Sequence, residues 1–284
     1  MLIGIFFALS ILASAGVCGA FDAFSGLGWL WILPLCTAGI FLLLIVLWAV
    51  MMLIMAKSVD MDKEQEEDNA FFRTVIHLTI GALLILFRIR VDMEGLEKTP
   101  KDGRFMLVCN HLHDTDPVVL LWAFAKSRLA FVSKRENDQK FIIGPFLHRI
   151  LCQPINREND REALKTILKC IRLLQEDKVS IGVFPEGYCS KEHLLHPFRS
   201  GVFKIAQKAN VPIVVCTVRN THPVFKNMAK LKPSHVQLRL VGVVPAEDLK
   251  GRTAVDIAHQ VYDMMAQDLG PELVLPVTQE AENT

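Results

Sequence analysis

The chain has 284 residues, 51% of them hydrophobic, and a formal net charge of +1. A mean hydropathy of +0.33 excludes a single ordinary soluble domain, and near-neutrality excludes bulk charge as a means of recruiting nucleic acid or an acidic partner. The cysteines at 18, 36, 109, 152, 170, 189 and 216 are odd in number and form no Cys-x-x-Cys pair, so they read as reduced thiols on the cytoplasmic side, not as a disulfide framework.

The apolar excess lies at the N-terminus. Leu2 to Phe21 is uncharged and long enough to cross a hydrocarbon layer about 30 Å thick. A cleaved signal peptide competes with this reading, but Met-Leu-Ile-Gly offers no positive n-region. Gly28 to Ala56 is a second uncharged run, with Trp29 and Trp31 at the end where aromatic residues anchor in the interface. The link from Asp22 to Leu27 is short, so residues 1–56 are expected to form a transmembrane hairpin. Positive charge is absent from the link and begins at Lys57, which places the bulk of the chain in the cytoplasm. Residues 57–88 hold an acidic stretch, Asp60 to Asp68, read as a solvated linker, and then Phe71 to Phe87. That second piece carries Arg73 and His77. A charge at mid-membrane costs about 2.5 kcal/mol or more, so it is expected to lie at the membrane surface or pack on the domain. A third span is the alternative.

Residues 89–284 are expected to form one cytoplasmic domain. Ile89 to Met93 alternates as an edge strand should, and Phe105 to Cys109 is a buried strand. Pro117 to Ala125 is a helix with proline at its start. Leu129 to Ser133 is a short strand, and Cys152 to Asn156 a short apolar piece. Asp160 is taken as the N-cap of a helix with Ala163, Leu164, Ile167, Leu168, Ile171 and Leu174 on one face. Val179 to Phe184 is a strand, Gly201 to Ala209 helical, Val211 to Val218 a buried strand, and Val236 to Val244 an alternating one. Ala254 to Leu269 closes the chain as an amphipathic helix. The fold class is therefore α/β: a largely parallel sheet flanked by helices, preceded by an N-terminal membrane helical hairpin.

The chemistry centres on Cys109 to Pro117, at a strand end opening into a helix, where open α/β folds place their sites. His111 and Asp116 are five positions apart. On a short loop the carboxylate can accept the N–H of one imidazole nitrogen and leave the other free as a base. No Gly-x-Ser-x-Gly elbow occurs, so the nucleophile is expected to belong to the substrate. The plain structural alternative is a loop with an Asn/Asp turn and a helix cap.

Four stretches together resemble the glycerolipid acyltransferases, in particular the 1-acyl-glycerol-3-phosphate (PlsC-like) group. The family's Asn-His-x-Ser-x-x-Asp block is matched by Asn110-His111-Leu112-His113-Asp114-Thr115-Asp116. Its apolar stretch ending in arginine is similar to Pro154-Ile155-Asn156-Arg157. Its Phe-Pro-Glu-Gly-Thr-Arg-Ser block resembles Phe184-Pro185-Glu186-Gly187-Tyr188-Cys189-Ser190, and its Val-Pro-Ile run resembles Val211-Pro212-Ile213. The resemblance spans roughly residues 89 to 245 and implies transfer of a fatty acyl group from a thioester, acyl-CoA or acyl carrier protein, to a lysophospholipid hydroxyl in the membrane. It implies His111 as general base with Asp116 behind it, and Arg157, Glu186, Gly187 and Lys134 as substrate-binding residues. No metal or cofactor is required, because a thioester already has a good leaving group. Backbone amides near Gly187 or Val183 are candidates for the oxyanion.

Two positions depart from the pattern. His113 replaces serine, and Cys189 replaces the arginine of the third block; Lys134, Lys191 or Arg199 are candidates to replace that lost cation. A metallo-hydrolase reading fails because the His-x-His-x-Asp-His pattern is broken at Thr115 and Asp116. Cys189 as a nucleophile and a non-catalytic lipid-binding protein are the remaining rivals.

Overall fold

The computed structural model describes residues 1–156 and 159–275. Helices α1 (Leu2–Ala20) and α2 (Trp29–Lys57) form an antiparallel pair, each long and apolar enough to cross a membrane. They meet through small residues: Ser10, Ser14 and Cys18, four apart on one stripe of α1, are buried. Both serines return their hydroxyls to the carbonyl four residues back, so no polar group is left unpaired there. The outer surface of α2 is apolar and exposed along most of its length, as at Leu35, Leu42, Leu43 and Ile54. At about 1.5 Å per residue, α2 is longer than a hydrocarbon layer. Its last turns enter the globular part, where Met55 and Ala56 are buried with the main core.

Helix α3 (Ala70–Leu86) belongs to the globular body. Asn69 caps it by accepting from the N–H of Phe72. Arg73, the charge that made a span costly, has its needs met locally. Its guanidinium pairs with Asp68 and donates to the carbonyls of Leu129 and Ile150. Phe72 packs on Phe146 with ring centroids 5.0 Å apart, and Thr79 accepts from the Trp48 indole of α2. The acidic linker before α3 is solvated as expected, and it is also tethered. Glu64 and Glu66 reach Lys169 and Arg172 on a later helix and Glu67 reaches Lys178 just beyond it, while the carboxylates stay largely exposed.

The strands are β1 (Ile89–Glu94), β2 (Met106–Cys109), β3 (Leu129–Lys134), β4 (Gln153–Ile155), β5 (Ser180–Val183), β6 (Ile213–Arg219) and β7 (Ser234–Val244). They form one seven-stranded sheet in the order β1-β7-β6-β2-β5-β3-β4. All neighbouring pairs are parallel except β6 with β7. Strands β2 and β5, in the middle, are fully buried, as expected of strands covered on both faces. The connecting helices are α4 (Asp116–Ala123), α5 (Ile143–Arg149), α6 (Asp160–Gln175), α7 (Lys204–Ala209), α8 (Val224–Ala229) and α9 (Ala254–Leu269).

Three details differ from the sequence reading. The cap of α6 is Asn159, which accepts from the N–H groups of Arg161 and Glu162; Asp160 is the first helical residue. The buried side of α6 is Cys170, Leu173 and Leu174, while Leu164 and Leu168 are 55% and 56% exposed. Helix α5 was not expected, because a Gly144-Pro145 pair ordinarily marks a turn. Proline is tolerated in a first turn, and Gly144 is needed because a Cβ there would sit 2.1 Å from the Asp138 carbonyl oxygen.

Candidate active site

Strand β2 delivers the chain to the site, and Asn110 fixes where it stops. Its fully buried amide donates to the Val218 carbonyl (3.0 Å) and accepts from the Val218 N–H (2.8 Å). A side chain thus continues the ladder between β2 and β6 one residue past the strand, and the next residue, His111, turns out into the open end of the sheet.

His111 Nδ1 lies 2.9 Å from Asp116 Oδ2. The same oxygen accepts the N–H groups of Leu112 (2.6 Å) and His113 (2.8 Å). Asp116 is 0% exposed and opens α4, so its charge sits where helix N–H groups point. Among the described residues its Oδ1 has no hydrogen-bond partner. The imidazole lies flat on Phe184, 4.2 Å between centroids and 20° between planes, and Phe184 in turn stacks on Phe131. The ring is clamped, with Nδ1 engaged and Nε2 left for a reacting partner.

The glutamate–glycine turn after β5 is bonded to the same residue. Glu186 Oε2 accepts the His111 N–H (3.1 Å), and the Ser190 N–H donates to the His111 carbonyl (2.9 Å). Glu186 is 1% exposed. Burial, opposed by backbone N–H donors, raises its carboxyl to about 9, so it holds its proton at neutral pH. Gly187 has φ +83°, and a Cβ there would lie 2.9 Å from Arg199 Nε. The missing side chain leaves room for that guanidinium to lie against the turn.

A groove of about 550 Å³ opens beside this pair. His111, Phe184, Gly187, Lys134 and Arg199 line it, with Val118, Leu121, Val132, Ile143 and Leu147 as apolar walls. Lys140 adds a cation; Asp114, Glu136 and Asp160 add carboxylates. A cavity of this size, mostly apolar with a few convergent polar groups, fits a lipid-sized ligand.

The expected site residues therefore converge on one place. His111, Asp116, Glu186 and Gly187 are bonded or adjacent, and Lys134 lines the groove they open onto. Arg157 lies outside the described residues, although Ile155 and Asp160 on either side of it both line the groove. Of the candidate replacement cations, the groove contains Lys134 and Arg199. Of the backbone amides near Gly187, that residue's own is taken, because its N–H donates to the Phe184 carbonyl. Val183 is a residue of β5, whose backbone is committed to the sheet. His113 does not face His111's partner. Its Nδ1 contacts the Thr115 hydroxyl and its ring meets Phe225 edge-on. Cys189 is a poor nucleophile here: burial, with Asp116 and Asp114 nearby, pushes its thiol up to about 11. His193 and His196 form no metal set with each other, because His193 bonds the Leu112 carbonyl and His196 bonds Tyr188 and Ser190. One group of potential ligands does exist: donor atoms of His111, Asp114 and Cys189 lie within 4.8 Å of one another. Sequence reasoning missed the stacking role of Phe184 and the anchoring role of Asn110, since neither leaves a signal beyond residue type.

Comparison with known proteins converges on one family. Residues 90–219 match the Acyltransferase family. A 1-acyl-sn-glycerol-3-phosphate acyltransferase of Cocos nucifera is 25% identical over 190 residues, 66% of this chain and 61% of that protein, so the match spans somewhat less than two thirds of it. The Bacillus subtilis protein of the same name is 30% identical over 136 residues, 47% of this chain and 66% of that one. The crystal structure of the 1-acyl-sn-glycerophosphate (LPA) acyltransferase PlsC from Thermotoga maritima shares the fold. Its TM-score is 0.61 at 19% identity, covering 78% of this chain and 87% of that one. Three of the four motif blocks put residues into one groove, in agreement with these likenesses: the chain carries a PlsC-like domain of the Acyltransferase family.

Proposed function

We propose that this protein moves a fatty acyl group from a thioester, acyl-CoA or acyl carrier protein, to the free hydroxyl of 1-acylglycerol 3-phosphate, giving phosphatidic acid. The observation that carries the reading is the His111–Asp116 pair, with one imidazole nitrogen engaged and the other facing an apolar groove edged by cations. His111 Nε2 takes the proton of the acceptor hydroxyl as its oxygen attacks the thioester carbonyl. Asp116 holds the tautomer and stabilises the imidazolium. The tetrahedral intermediate collapses with loss of the thiolate, which regains the proton from His111, so the step balances with no metal, cofactor or protein nucleophile.

Lys134 and Arg199, which line the groove, supply the positive charge for the acceptor phosphate; the family resemblance adds Arg157 to that role. Any fixed donor that also meets the oxyanion is worth about 3 kcal/mol. Glu186, protonated and bonded to the His111 backbone, sets the position of the imidazole relative to the Gly187 turn. The membrane hairpin keeps the groove next to a lipid acceptor, with the globular domain on the cytoplasmic side.

The loss of the third-block arginine at Cys189 supports a second reading, in which the acceptor is another lysolipid or glycerol 3-phosphate. Purified protein given radiolabelled acyl thioester with lysophosphatidic acid, glycerol 3-phosphate and neutral lysolipids in parallel separates these. Preferential labelling of phosphatidic acid supports the first reading, and a preference for a neutral acceptor replaces it with the second. Transfer to none of them leaves a lipid-binding protein without this chemistry.

A further inference from the structure

The motif analysis leaves one substitution without a task. Cys189 stands where the resembling block has an arginine, and it sits beside His111 and Asp114 with an imidazole nitrogen, a carboxylate oxygen and a sulfur all within 4.8 Å. Around a tetrahedral zinc ion, nitrogen, oxygen and sulfur ligands at their usual bond lengths are separated by about 3.3–3.8 Å. Small side-chain rotations close that gap, because Asp114 is exposed and Cys189 only half-buried. The ring is already oriented as zinc-bound histidines are: Asp116 holds Nδ1, so Nε2 is the nitrogen presented, in a carboxylate–histidine–metal arrangement. An arginine at 189 would repel a cation. A thiol ligates one, and its preference is for zinc over magnesium or calcium.

We infer that His111 Nε2, Asp114 and Cys189 form an inhibitory binding site for zinc at the edge of the groove. On binding, the thiol proton leaves to solvent, and the Asp114 carboxylate and Cys189 thiolate balance the two positive charges. The Nε2 lone pair is then donated to the metal and no longer accepts a proton, so acyl transfer stops. The inhibitory consequence rests on His111 being the base proposed above; the metal site itself rests on geometry alone.

The test separates the two. Full-length protein in detergent, stripped with chelator, is titrated with Co²⁺ as a coloured substitute for Zn²⁺. The expected result is one bound Co²⁺ with a thiolate-to-metal charge-transfer band, displaced by Zn²⁺. Cys189→Ser is expected to lose the band, keep its acyl-transfer activity, and need about tenfold or more Zn²⁺ for half-inhibition. Asp114→Asn is expected to weaken binding while retaining the band. Absence of a thiolate band in the native protein, or its survival in Cys189→Ser, overturns the site. Activation by Zn²⁺ overturns the inhibitory role. A band that depends on Cys189 in a protein that acylates none of the lipids supports the site and refutes the function proposed above.

Discussion

Asp116 is buried, and two backbone N–H groups and the His111 ring converge on one of its oxygens. That makes the aspartate a positioning group whose loss is felt through the imidazole. His111→Ala is expected to lower kcat by about a hundred- to ten-thousand-fold, with little change in KM for either substrate. Asp116→Asn, which offers Nδ1 the wrong partner, is expected to fall in the same range while the protein stays folded. Steady-state kinetics with circular dichroism checks both. Glu186 sets up an opposite trade. Its carboxyl is raised from 4.5 to about 9 by burial, so between those values the folded protein holds a proton that the unfolded chain releases. Stability from this group is complete below pH 4.5 and is lost as pH rises towards 9. Glu186→Gln keeps an oxygen for the His111 N–H and has no proton to lose. Its melting temperature is expected to exceed that of the native protein above pH 4.5, with the gap widening up to about pH 9. Thermal melts across that range measure the widening; parallel curves would refute it.

At the level of single elements, what the sequence made legible is what local chemistry decides. The closing helix is found at Ala254–Leu269 as its periodicity predicts, with Thr253 and Asp256 forming a reciprocal cap. The strand-then-loop of the first block is equally plain, because an unbroken apolar run followed by Asn-His has few alternatives. Helix α5 was hidden by its Gly-Pro pair, and the buried face of α6 was misjudged because Leu164 and Leu168 fit the helical period without facing the core. Apolar spacing shows that a stripe exists, not which neighbour covers it. Backbone amides near Gly187 or Val183 were offered as oxyanion donors on sequence grounds, and the turn's own 3.1 Å bond from Gly187 to Phe184 removes one amide from that set. That turn also tests how Arg199 is held. Gly187→Ala forces an L-residue to φ +83° and places a methyl against the guanidinium. The expected cost is about 1–2 kcal/mol of stability, together with a KM for the phosphate-bearing acceptor that rises more than kcat falls. Chemical denaturation and kinetics on the same preparation check both.

On the scale of the whole molecule, strand order was out of reach of the sequence, since β1 lies beside β7 and β6 beside β2 through pairings more than a hundred residues apart. The hairpin was legible because length and charge alone decide it. Its place in the molecule follows from two facts: α2 exposes leucine and isoleucine along its length, and its last turns are sunk in the core at Met55 and Ala56. An exposed apolar surface of that extent in water would drive aggregation, whereas lipid covers it without cost. Anchor and domain are also fastened to each other by the Trp48–Thr79 bond and by the acidic strap on α6, so the groove is held at a fixed position relative to the hairpin. Membranes containing the protein are therefore expected to retain it through alkaline carbonate and high salt and release it to detergent. A cysteine placed at Asp22, in the link, is expected to react with a membrane-impermeant maleimide from outside intact cells. One placed at Asp60 is expected to react only after permeabilisation, because positive charge gathers on its side of the hairpin. Labelling of both from outside, or neither, would remove the hairpin; labelling of Asp60 alone would invert it and put the groove on the wrong side of the membrane for a cytoplasmic thioester.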